Sequence, residues 1–478
     1  MRSKSGWRKV IVILAITGLM LGLALGAAYG QKPATERFRG TTIRVMAINM
    51  PQIKPFWTFI PEFEEKYGMK VIVDEFPFDQ LQERSLMESA QHTGSYDIIS
   101  IDCMWIASYT LPGYVEPIMK YIKDPSLTDP EFDLGDFVPR QISGTGVMND
   151  VLYNMVQSGS SCGQSIRKDL FEANGLALPK TKADWNYEYM TEAIEKLTRP
   201  EEGYYGFATH ARRGMEWGFT WWFDVYAFQT PERFSKDELF GPNWEITLDH
   251  PDTVWSLKWF VGNNPFTPPG SENFGYDEVS TSYLTGRIAV AWNYGDWIAG
   301  QFENPEVSAV VGKSLHINDV TGPYGMDDPH FGSWGLSISA DSKNKEAAWV
   351  FMQWLLSKPN ARRAALMGAG PPRHSIYRDP VIQELQPWIK WIYEHQLHWA
   401  NPDTRPMIPE WTEISEAMGL WGNRTWIGEI TPEVAIKGMA KDIERIMDEG
   451  GYYDPAVKKP KQQWRNMVYY DNNPLGWK

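Results

Sequence analysis

The sequence predicts an α/β fold divided into two lobes. Strand-like and helix-like segments alternate through the first part of the chain, which is the pattern of a parallel, doubly wound sheet. The 478 residues exceed what one hydrophobic core usually holds, so we expect two lobes. Ligands of such sheets bind in the crevice beyond the carboxyl ends of the strands. The loops after the predicted strands are therefore the first places to look for a site.

The first 30 residues are interpreted as an export signal. Four basic residues lie within the first nine positions, residues 10–28 carry no charge, and Ala28 and Gly30 are small enough for a signal peptidase. We expect cleavage before Gln31. The alternative is an uncleaved anchor, because about 18 apolar residues can span a bilayer. No cysteine follows the apolar run, so we expect no lipid anchor and a periplasmic or secreted mature chain.

Composition narrows the possible partners. Residues 31–478 carry 42 Lys and Arg against 60 Asp and Glu, a net charge of −18, which argues against nucleic acid and anionic membranes as partners. The two cysteines, Cys103 and Cys162, are too few for a disulfide scaffold, and their pairing with each other stays open. Residues 31–478 also hold 22 Trp, 21 Tyr and 21 Phe. Most should pack in cores, but rings beside Gly, Asn or Asp suit the C–H faces of sugars.

The first elements follow a β-α-β-α-β order. We expect a strand at Thr42–Ile48, a helix at Phe56–Tyr67, a strand at Val71–Phe76, a helix at Leu81–Ala90 and a strand at Tyr96–Ile101. The loops after the first and third of these strands are then the candidate ligand-binding edge.

The rest of the chain continues the alternation. Further strands are expected at 151–158, 288–292 and 331–340, and further helices at 167–174, 183–199, 253–261, 344–356 and 432–449. Residues 123–146 are rich in Pro, Gly and Asp and predict a surface loop. Residues 217–228 are strongly apolar and should be buried or line a cleft.

Six segments in this order carry a family resemblance. They are YDIISID at 96–102 with Trp105 after it, IRKDLFEANGL at 166–176, YLTGRIAVAWNYGDW at 283–297, GSWGLSISADSKNKEAAWVFMQWLLS at 332–357, GPPRHSIYRDP at 370–380 and PEWTEI at 409–414. Together they resemble the extracellular solute-binding proteins of family 1, the sugar-binding subunits of ABC importers related to maltose-binding protein.

The resemblance implies a two-lobed periplasmic-binding-protein fold with a ligand cleft at the hinge. It implies a monomer that captures a carbohydrate or polyol by hinge closure and delivers it to the ABC permease subunits, without catalysis or a cofactor. The implied N-lobe is 41–156 plus 337–406, and the implied C-lobe is 157–335 plus 409–478. The implied chain crossings lie near 154–158, 334–337 and 407–411.

On the side of the first predicted sheet, four residues are candidate ligand contacts. Asn49 and Gln52 follow the first strand, and Asp102 and Trp105 follow the third. Asp102 either accepts hydrogen bonds from ligand hydroxyls or caps the helix that begins near Met104. Trp105 either stacks on a sugar ring or belongs to the core.

Five further candidates come from the middle and the end of the chain. Asp296 and Trp297 lie in a glycine-containing turn and pair an acceptor with a stacking ring. The resemblance implies that a sugar stacks on an aromatic residue here. Trp334 lies between two glycines, which permit close approach of a ligand. Arg373 follows Gly-Pro-Pro and offers five fixed donors, unless it forms a salt bridge instead. Trp222 is a stacking face or a core residue.

Other site classes find little support. His395 and His398 have no third ligand at metal-binding spacing, and Asp327, Asp328 and His330 are interpreted as a solvated loop, so we expect no metal. There is no GxSxG, P-loop or HExxH motif. A secreted glycoside hydrolase with paired carboxylates and a glycan adhesin remain the alternative functions.

Overall fold

The computed structural model describes residues 34–160, 163–214, 221, 225, 228–230, 239–241, 243–292, 296–317, 319–326, 330–398, 400 and 402–457. Within these ranges the chain forms two larger β-sheets with helices around them, and a small two-stranded ribbon. Among the same residues, no helix combines the length and apolar character that crossing a membrane requires.

The described strands are numbered in chain order. They are β1 Thr42–Ile48, β2 Lys70–Phe76, β3 Ile98–Asp102, β4 Val147–Met148, β5 Val151–Leu152, β6 Asn154–Ser160, β7 Gln164–Arg167, β8 Tyr205–Ala208, β9 Ile288–Ala291, β10 Ser314–Ile317 and β11 Gly332–Ile338.

The first sheet has five strands in the order β2-β1-β3-β11-β6. Strand β1 runs parallel to β2 over its whole length, from Thr42 opposite Lys70 to Ile48 opposite Phe76, and it is also parallel to β3. Strand β11 is antiparallel to both β3 and β6. The inner strands β3 and β11 and the edge strand β6 are buried along their whole length, as expected for strands covered on both faces.

The second sheet has four strands in the order β10-β7-β9-β8. Strands β8 and β9 are parallel, whereas β7 is antiparallel to β9 and β10. The chain therefore leaves the first sheet after β6 and builds the second sheet with β7 to β10. It returns to the first sheet as β11.

Helices of eight residues or more account for most of the remaining regular structure. They are Ile60–Tyr67, Phe78–Ala90, Pro139–Gly146, Tyr187–Lys196, Pro251–Gly262, Tyr276–Leu284, Lys345–Leu355, Lys358–Leu366, Ile389–His398, Trp411–Trp426 and Pro432–Glu449. Shorter α-helices are Ala34–Arg37, Lys54–Trp57, Ile106–Thr110, Met119–Ile122, Lys168–Ala173, Asp296–Ala299, His374–Tyr377 and Pro380–Leu385.

Large aromatic side chains fill the cores, as their size favours. One apolar cluster packs the helix Lys345–Leu355 against the first sheet, with Trp349 and Phe351 fully buried. A second cluster joins the helices Trp411–Trp426 and Pro432–Glu449 to the second sheet. The fully buried tryptophans include Trp105, Trp185, Trp221, Trp292, Trp349 and Trp411. Packing therefore explains many of the abundant tryptophans.

Two expectations about the fold need correction. The first sheet is mixed rather than all parallel, because β11 re-enters it from the second sheet and runs against its neighbours. The predicted loop at 123–146 ends in the buried helix Pro139–Gly146. The sequence did not predict this helix because it contains two glycines. Both glycines are required by close packing, since a Cβ on Gly144 would meet the Phe331 ring and a Cβ on Gly146 would meet the Asn154 backbone. Close packing of small residues thus replaces the apolar periodicity of an ordinary helix.

Candidate functional site

A cavity of about 580 Å³ lies between the two sheets. The first sheet contributes the ends of β1 and β3, the start of the helix Phe78–Ala90, and β11. The second sheet's side contributes the segment after β8 and the helix Tyr276–Leu284. Its polar lining consists of Asn49, Lys54, Asp102, Ser160, His210, Arg212, Tyr276, Asp277, Glu278, Ser280, Thr281, Thr285, Gln301, His330, Ser333, Trp334 and Arg405. The volume falls within the range of about 300–1,000 Å³ typical of small-molecule sites.

Three of the predicted contact residues line this cavity: Asn49, Asp102 and Trp334. Asn49 follows β1 directly, and its backbone N–H donates to the Phe76 carbonyl at 2.9 Å. Asp102 ends the neighbouring strand β3, so the parallel strands bring both residues to the same edge. This is the edge where the parallel-sheet rule places ligands.

Of the two roles that the sequence left open for Asp102, the structure shows the capping role. Its Oδ1 accepts a hydrogen bond from the Met104 backbone N–H at 3.0 Å and thereby caps the short turn of helix that follows. The same carboxylate lines the cavity. Burial raises the pKa of Asp102, and the nearby Arg405 guanidinium and the Met104 N–H oppose that rise.

Trp334 presents an aromatic surface to the cavity and is held by two other rings. Its indole meets Trp105 at 5.2 Å and Phe78 at 5.9 Å between ring centroids, both nearly perpendicular. Phe78 also lines the cavity. Between Trp334 and Gly335 the pairing with β6 shifts register, and Gly335 lies against Asn154. These two edge-to-face contacts fix the orientation of the Trp334 indole in the cavity wall.

The helix Tyr276–Leu284 lines the opposite side of the cavity. Asp277, Ser280, Thr281 and Leu284 follow helical spacing and face the cavity, and Thr285 continues this stripe beyond the helix end. No site was predicted here from the sequence. A polar stripe at a period of three to four residues was the signal that could have revealed it.

Three of the predicted contacts lie elsewhere. Trp105 is fully buried and supports Trp334 from behind, so the core interpretation is correct. Gln52 is buried beside a separate pocket of about 20 Å³, with its Nε2 at 3.4 Å from the Met50 sulfur. Arg373 is fully buried away from the cavity and forms a salt bridge with Asp136 at 3.2 Å. The interpretation of Arg373 as a ligand contact is therefore wrong.

Trp222 lies outside the described residues, and so do Cys162, Asp327 and Asp328. For Asp296 and Trp297 the backbone forms the start of the helix Asp296–Ala299, and their side chains lie outside the description. Cys103 is buried behind the cavity wall, and burial raises its pKa to about 12. Within the described ranges, no three His, Cys, Asp or Glu residues are grouped so as to hold a metal ion.

The interpretation of His330 as part of a solvated loop is wrong, and the sequence did not single out Arg405; both lie in the cavity wall. Both side chains are almost fully buried. Burial is the main reason that the pKa of His330 lies well below its ordinary value. His330 is therefore neutral at neutral pH. Arg405 lies in the irregular segment that precedes the helix Trp411–Trp426. No local pattern marks it, because the residues it contacts are far away in the sequence.

Comparison with known proteins places this architecture in a family. A model of the bacterial extracellular solute-binding proteins matches residues 47–362. The chain belongs to this family. Among solved structures, this solute-binding protein resembles one from Agrobacterium radiobacter in complex with ribitol, with a TM-score of 0.76 and 25% identity. The match covers 87% of this chain and all of the other. The two-lobed fold and the role as the binding component of an ABC importer follow from these relationships.

Two named relatives have similar length. The Erythritol/L-threitol-binding protein of Mycolicibacterium smegmatis is 24% identical over 355 residues, which are 72% of this chain and 71% of the relative. The Mannitol-binding protein of Pseudomonas aeruginosa is 25% identical over 405 residues, which are 78% of this solute-binding protein and 85% of the relative. Both relatives are named as binding proteins rather than as enzymes.

Proposed function

We propose that this chain captures a neutral polyhydroxylated solute, a sugar alcohol or a carbohydrate, in the cavity between its sheets. The observation that carries the proposal is the chemistry of the lining. Three cationic residues, Lys54, Arg212 and Arg405, are matched by three carboxylates, Asp102, Asp277 and Glu278. Such a balanced set, with several hydroxyls and one indole, suits a neutral ligand whose hydroxyls both donate and accept.

The relatives support the same class of solute. Two of them are named for alditols, erythritol and L-threitol in one case and mannitol in the other, and the similar solved structure holds ribitol. Within the cavity we propose Asn49, Asp102 and Trp334 as contacts to the solute. Trp222, Asp296 and Trp297 remain proposed contacts from the sequence alone.

We also propose the lobe boundaries that the resemblance implies, 41–156 plus 337–406 and 157–335 plus 409–478. The passage of the chain from β6 to β7 and from β10 back to β11 supports the first two crossings. The burial of the helix Lys345–Leu355 on the first sheet supports its assignment to the N-lobe. Closure about these crossings would trap the solute, driven by its higher affinity for the closed form.

The proposed route begins with export by residues 1–30 and cleavage before Gln31. The mature monomer, periplasmic or secreted, then delivers the trapped solute to the permease subunits of an ABC importer. Because both relatives are named for binding, we propose that the chain performs no chemistry on the solute. Turnover of glycosides during incubation with the purified protein would contradict this part.

The direct test is a ligand screen on the purified mature protein. Erythritol, ribitol, D-mannitol, maltose and maltotriose are added singly, and the unfolding temperature is measured, followed by calorimetric titration of each compound that shifts it. We expect at least one alditol or sugar to raise the unfolding temperature. A panel of L-amino acids serves as the comparison. A shift by amino acids alone would overturn the proposed class of solute and leave the family assignment intact.

A further inference from the structure

The helix Ile389–His398 contacts both sides of the cleft. On one side it packs against the helix Pro139–Gly146, which lies on β6 and β11 of the first sheet. On the other side its Trp391 ring meets the His316 ring of β10, in the second sheet, edge-to-face at 5.0 Å between centroids. The pair formed by Trp391 and His316 therefore joins the two sheets.

Two neighbouring contacts enclose this pair. Trp388, directly before the helix, meets Phe302 of the apolar cluster around β9 at 5.9 Å between ring centroids. Gly163, between β6 and β7, lies against the pair itself, because a Cβ there would stand 2.8 Å from both the His316 ring and the Trp391 ring. The pair thus lies where the chain passes from the first sheet to the second.

His316 occupies this place as a neutral ring. Its surface is 4% exposed, and neither ring nitrogen has a hydrogen-bond partner among the residues that the structure describes. The Gln164 backbone on the paired strand favours the charged ring from outside hydrogen-bond geometry, but burial outweighs it and lowers the pKa of His316 to about 3. An imidazolium here would bury two N–H donors without acceptors, which is energetically costly.

On the helix side, His395 is the titratable group that acts on His316. It is buried, its ring lies 5.4 Å from that of Trp391, and a charge on it lowers the pKa of His316 further. The other charged or titratable residues in the last two and a half turns of the helix are exposed to solvent: Lys390, Glu394 and His398. Protonation of one buried histidine thus opposes protonation of the other.

On the side of the second sheet, the charged groups packed around β10 have partners of their own or reach solvent. Arg167, on β7, pairs with Asp169 at 2.6 Å. Asp319, beyond the end of β10, accepts a hydrogen bond from the Gln164 Nε2 at 2.9 Å. The remaining charged residues beside these strands reach solvent: Lys168, Glu172 and Lys313. Among the described residues no carboxylate acts on His316, so a charge on its ring finds no compensating partner there.

Opening of the cleft moves Trp391 away from His316 and lets water reach the histidine ring. An imidazole in water titrates near pH 6.5, so the open form takes up a proton below that pH while the closed form excludes it. A protonated open form must lose this proton before it closes. Acid therefore favours the open form, whereas above about pH 7.5 the ring is neutral in both forms and closure depends on the solute alone.

We infer that the pair formed by His316 and Trp391 is a pH-sensitive latch, which holds the cleft closed on its solute at neutral pH and releases it in mild acid. This regulation rests on the proposed function, since it requires capture by closure. At pH 5.5, about nine tenths of the open form carries a proton on His316. The fraction competent to close is then about one tenth, and the affinity for the solute falls about tenfold.

The test is calorimetric titration with D-mannitol, ribitol and maltose at pH 7.5 and pH 5.5. We expect the unaltered protein to bind the tightest of these ligands about tenfold more weakly at pH 5.5. His316→Gln takes up no proton at this position, so most of this difference should disappear. His398→Gln, at an exposed histidine of the same helix, is the matched control and should keep the tenfold difference.

Proton counting gives a second readout of the latch. Titrations at pH 5.5 in two buffers of different ionisation enthalpy measure the protons released for each solute bound. We expect the unaltered protein to release about one proton more than His316→Gln does, because closure expels this proton from the ring. Far-UV circular dichroism and the unfolding temperature identify variants that fold at pH 5.5, and His316→Asn takes the place of His316→Gln if the latter does not.

The outcomes separate the latch from the function on which it rests. The same loss of affinity in His316→Gln as in the unaltered protein, or equal affinities of the unaltered protein at the two pH values, would overturn the latch while the binding function stood. Failure of the unaltered protein to bind any sugar or alditol at pH 7.5 would overturn the proposed function and the latch with it.

Discussion

At the scale of single residues, Arg373 shows how a buried arginine serves the fold. Its Nε and Nη2 donate to the Leu356 carbonyl, Nη2 also donates to Phe132, and Nη1 reaches Asp136 at 3.2 Å. The guanidinium also lies 3.7 Å from the centre of the Phe137 ring. Burial lowers the pKa of Arg373 to about 10, and Asp136 opposes the fall, so the group stays charged at neutral pH. Arg373 therefore ties the segment 132–137 to the end of the helix Lys345–Leu355.

We predict that Arg373→Met destabilises the protein by about 3–5 kcal/mol, because Asp136 loses its charged partner and the carbonyl groups of Phe132, Asp133 and Leu356 lose a donor. The measurement is the free energy of unfolding in urea. Arg378→Met, at an exposed arginine five residues later, should change it by about 0.5 kcal/mol or less. Folded Arg373→Met should bind D-mannitol as the unaltered protein does, and a specific loss of affinity with unchanged stability would restore the ligand-contact interpretation.

His316 predicts a dependence of stability on pH. It lies buried in β10 against the Trp391 ring at 5.0 Å, with Gln164 on the paired strand and His395 nearby. Burial lowers its pKa to about 3, whereas an unfolded histidine titrates near 6.5. Between these values the unfolded chain binds more protons at His316 than the folded chain does. His316 therefore costs the fold no stability above about pH 6.5, and it lowers the free energy of unfolding progressively as the pH falls toward 3.

The corresponding experiment compares His316→Gln with the unaltered protein at pH 7.5 and pH 4.5. The glutamine variant should lose less of its free energy of unfolding between the two pH values, because it removes one group that must stay neutral. Other titrating groups are common to both proteins and cancel in the comparison. Equal losses in both proteins would show that His316 does not couple folding to protons.

At the scale of elements, the cavity joins strand ends on one side to a helix face on the other. Strands β1 and β3 are parallel, so Asn49 and Asp102 reach one edge of the sheet together. The helix Tyr276–Leu284 supplies a polar stripe from the second sheet's side. Each side alone presents an open polar surface, and the two together enclose the cavity.

Beside the small pocket, the backbones that follow two helices, Asp296–Ala299 and Lys358–Leu366, approach each other closely. Gly300 follows the helix Asp296–Ala299, and Gly368 follows the helix Lys358–Leu366. A Cβ on Gly300 would lie 3.0 Å from both the Cα and the carbonyl oxygen of Gly368, which is closer than side chains normally approach a backbone. The absence of a side chain at Gly300 therefore permits this approach between the two sides of the cleft.

We predict that Gly300→Val weakens binding of D-mannitol about tenfold, equivalent to 1.4 kcal/mol, by holding the two sides apart. Titration calorimetry measures the affinity, and the unfolding temperature checks the fold. Gly262→Val is the matched control, since a Cβ at Gly262 meets no atom within 4 Å. If both variants bind equally well, the contact at Gly300 has no part in closure.

At the scale of the whole molecule, the cavity draws its lining from both sheets. A ligand held in this way stabilises both lobes at once. At a ligand concentration of 100 times the dissociation constant, we expect the folded state to gain about 2.7 kcal/mol. Calorimetric unfolding with and without D-mannitol should show the complete transition moving upward. A shift in one part of a divided transition would mean that one lobe alone holds the ligand.

Many of the strands and helices could be predicted because local sequence patterns specify them. Alternating and helical periodicities locate β1, β2 and β3 and the helix Pro432–Glu449 to within a few residues. The order of motifs indicated the family. Polar residues directly after strands, such as Asn49 and Asp102, follow a rule that needs only the strand and its direction.

The sequence by itself therefore determined the α/β class, the family and the strand-end half of the cavity. Only the tertiary structure decided which isolated residues join that site. Arg405 contacts Cys103 across 302 residues of chain, and Arg373 contacts Phe132 across 241. One arginine enters the cavity wall and the other enters the core, although each is a single cation in an irregular segment. The physical reason is that burial and pairing depend on what the folded chain brings alongside, and no local pattern carries that information.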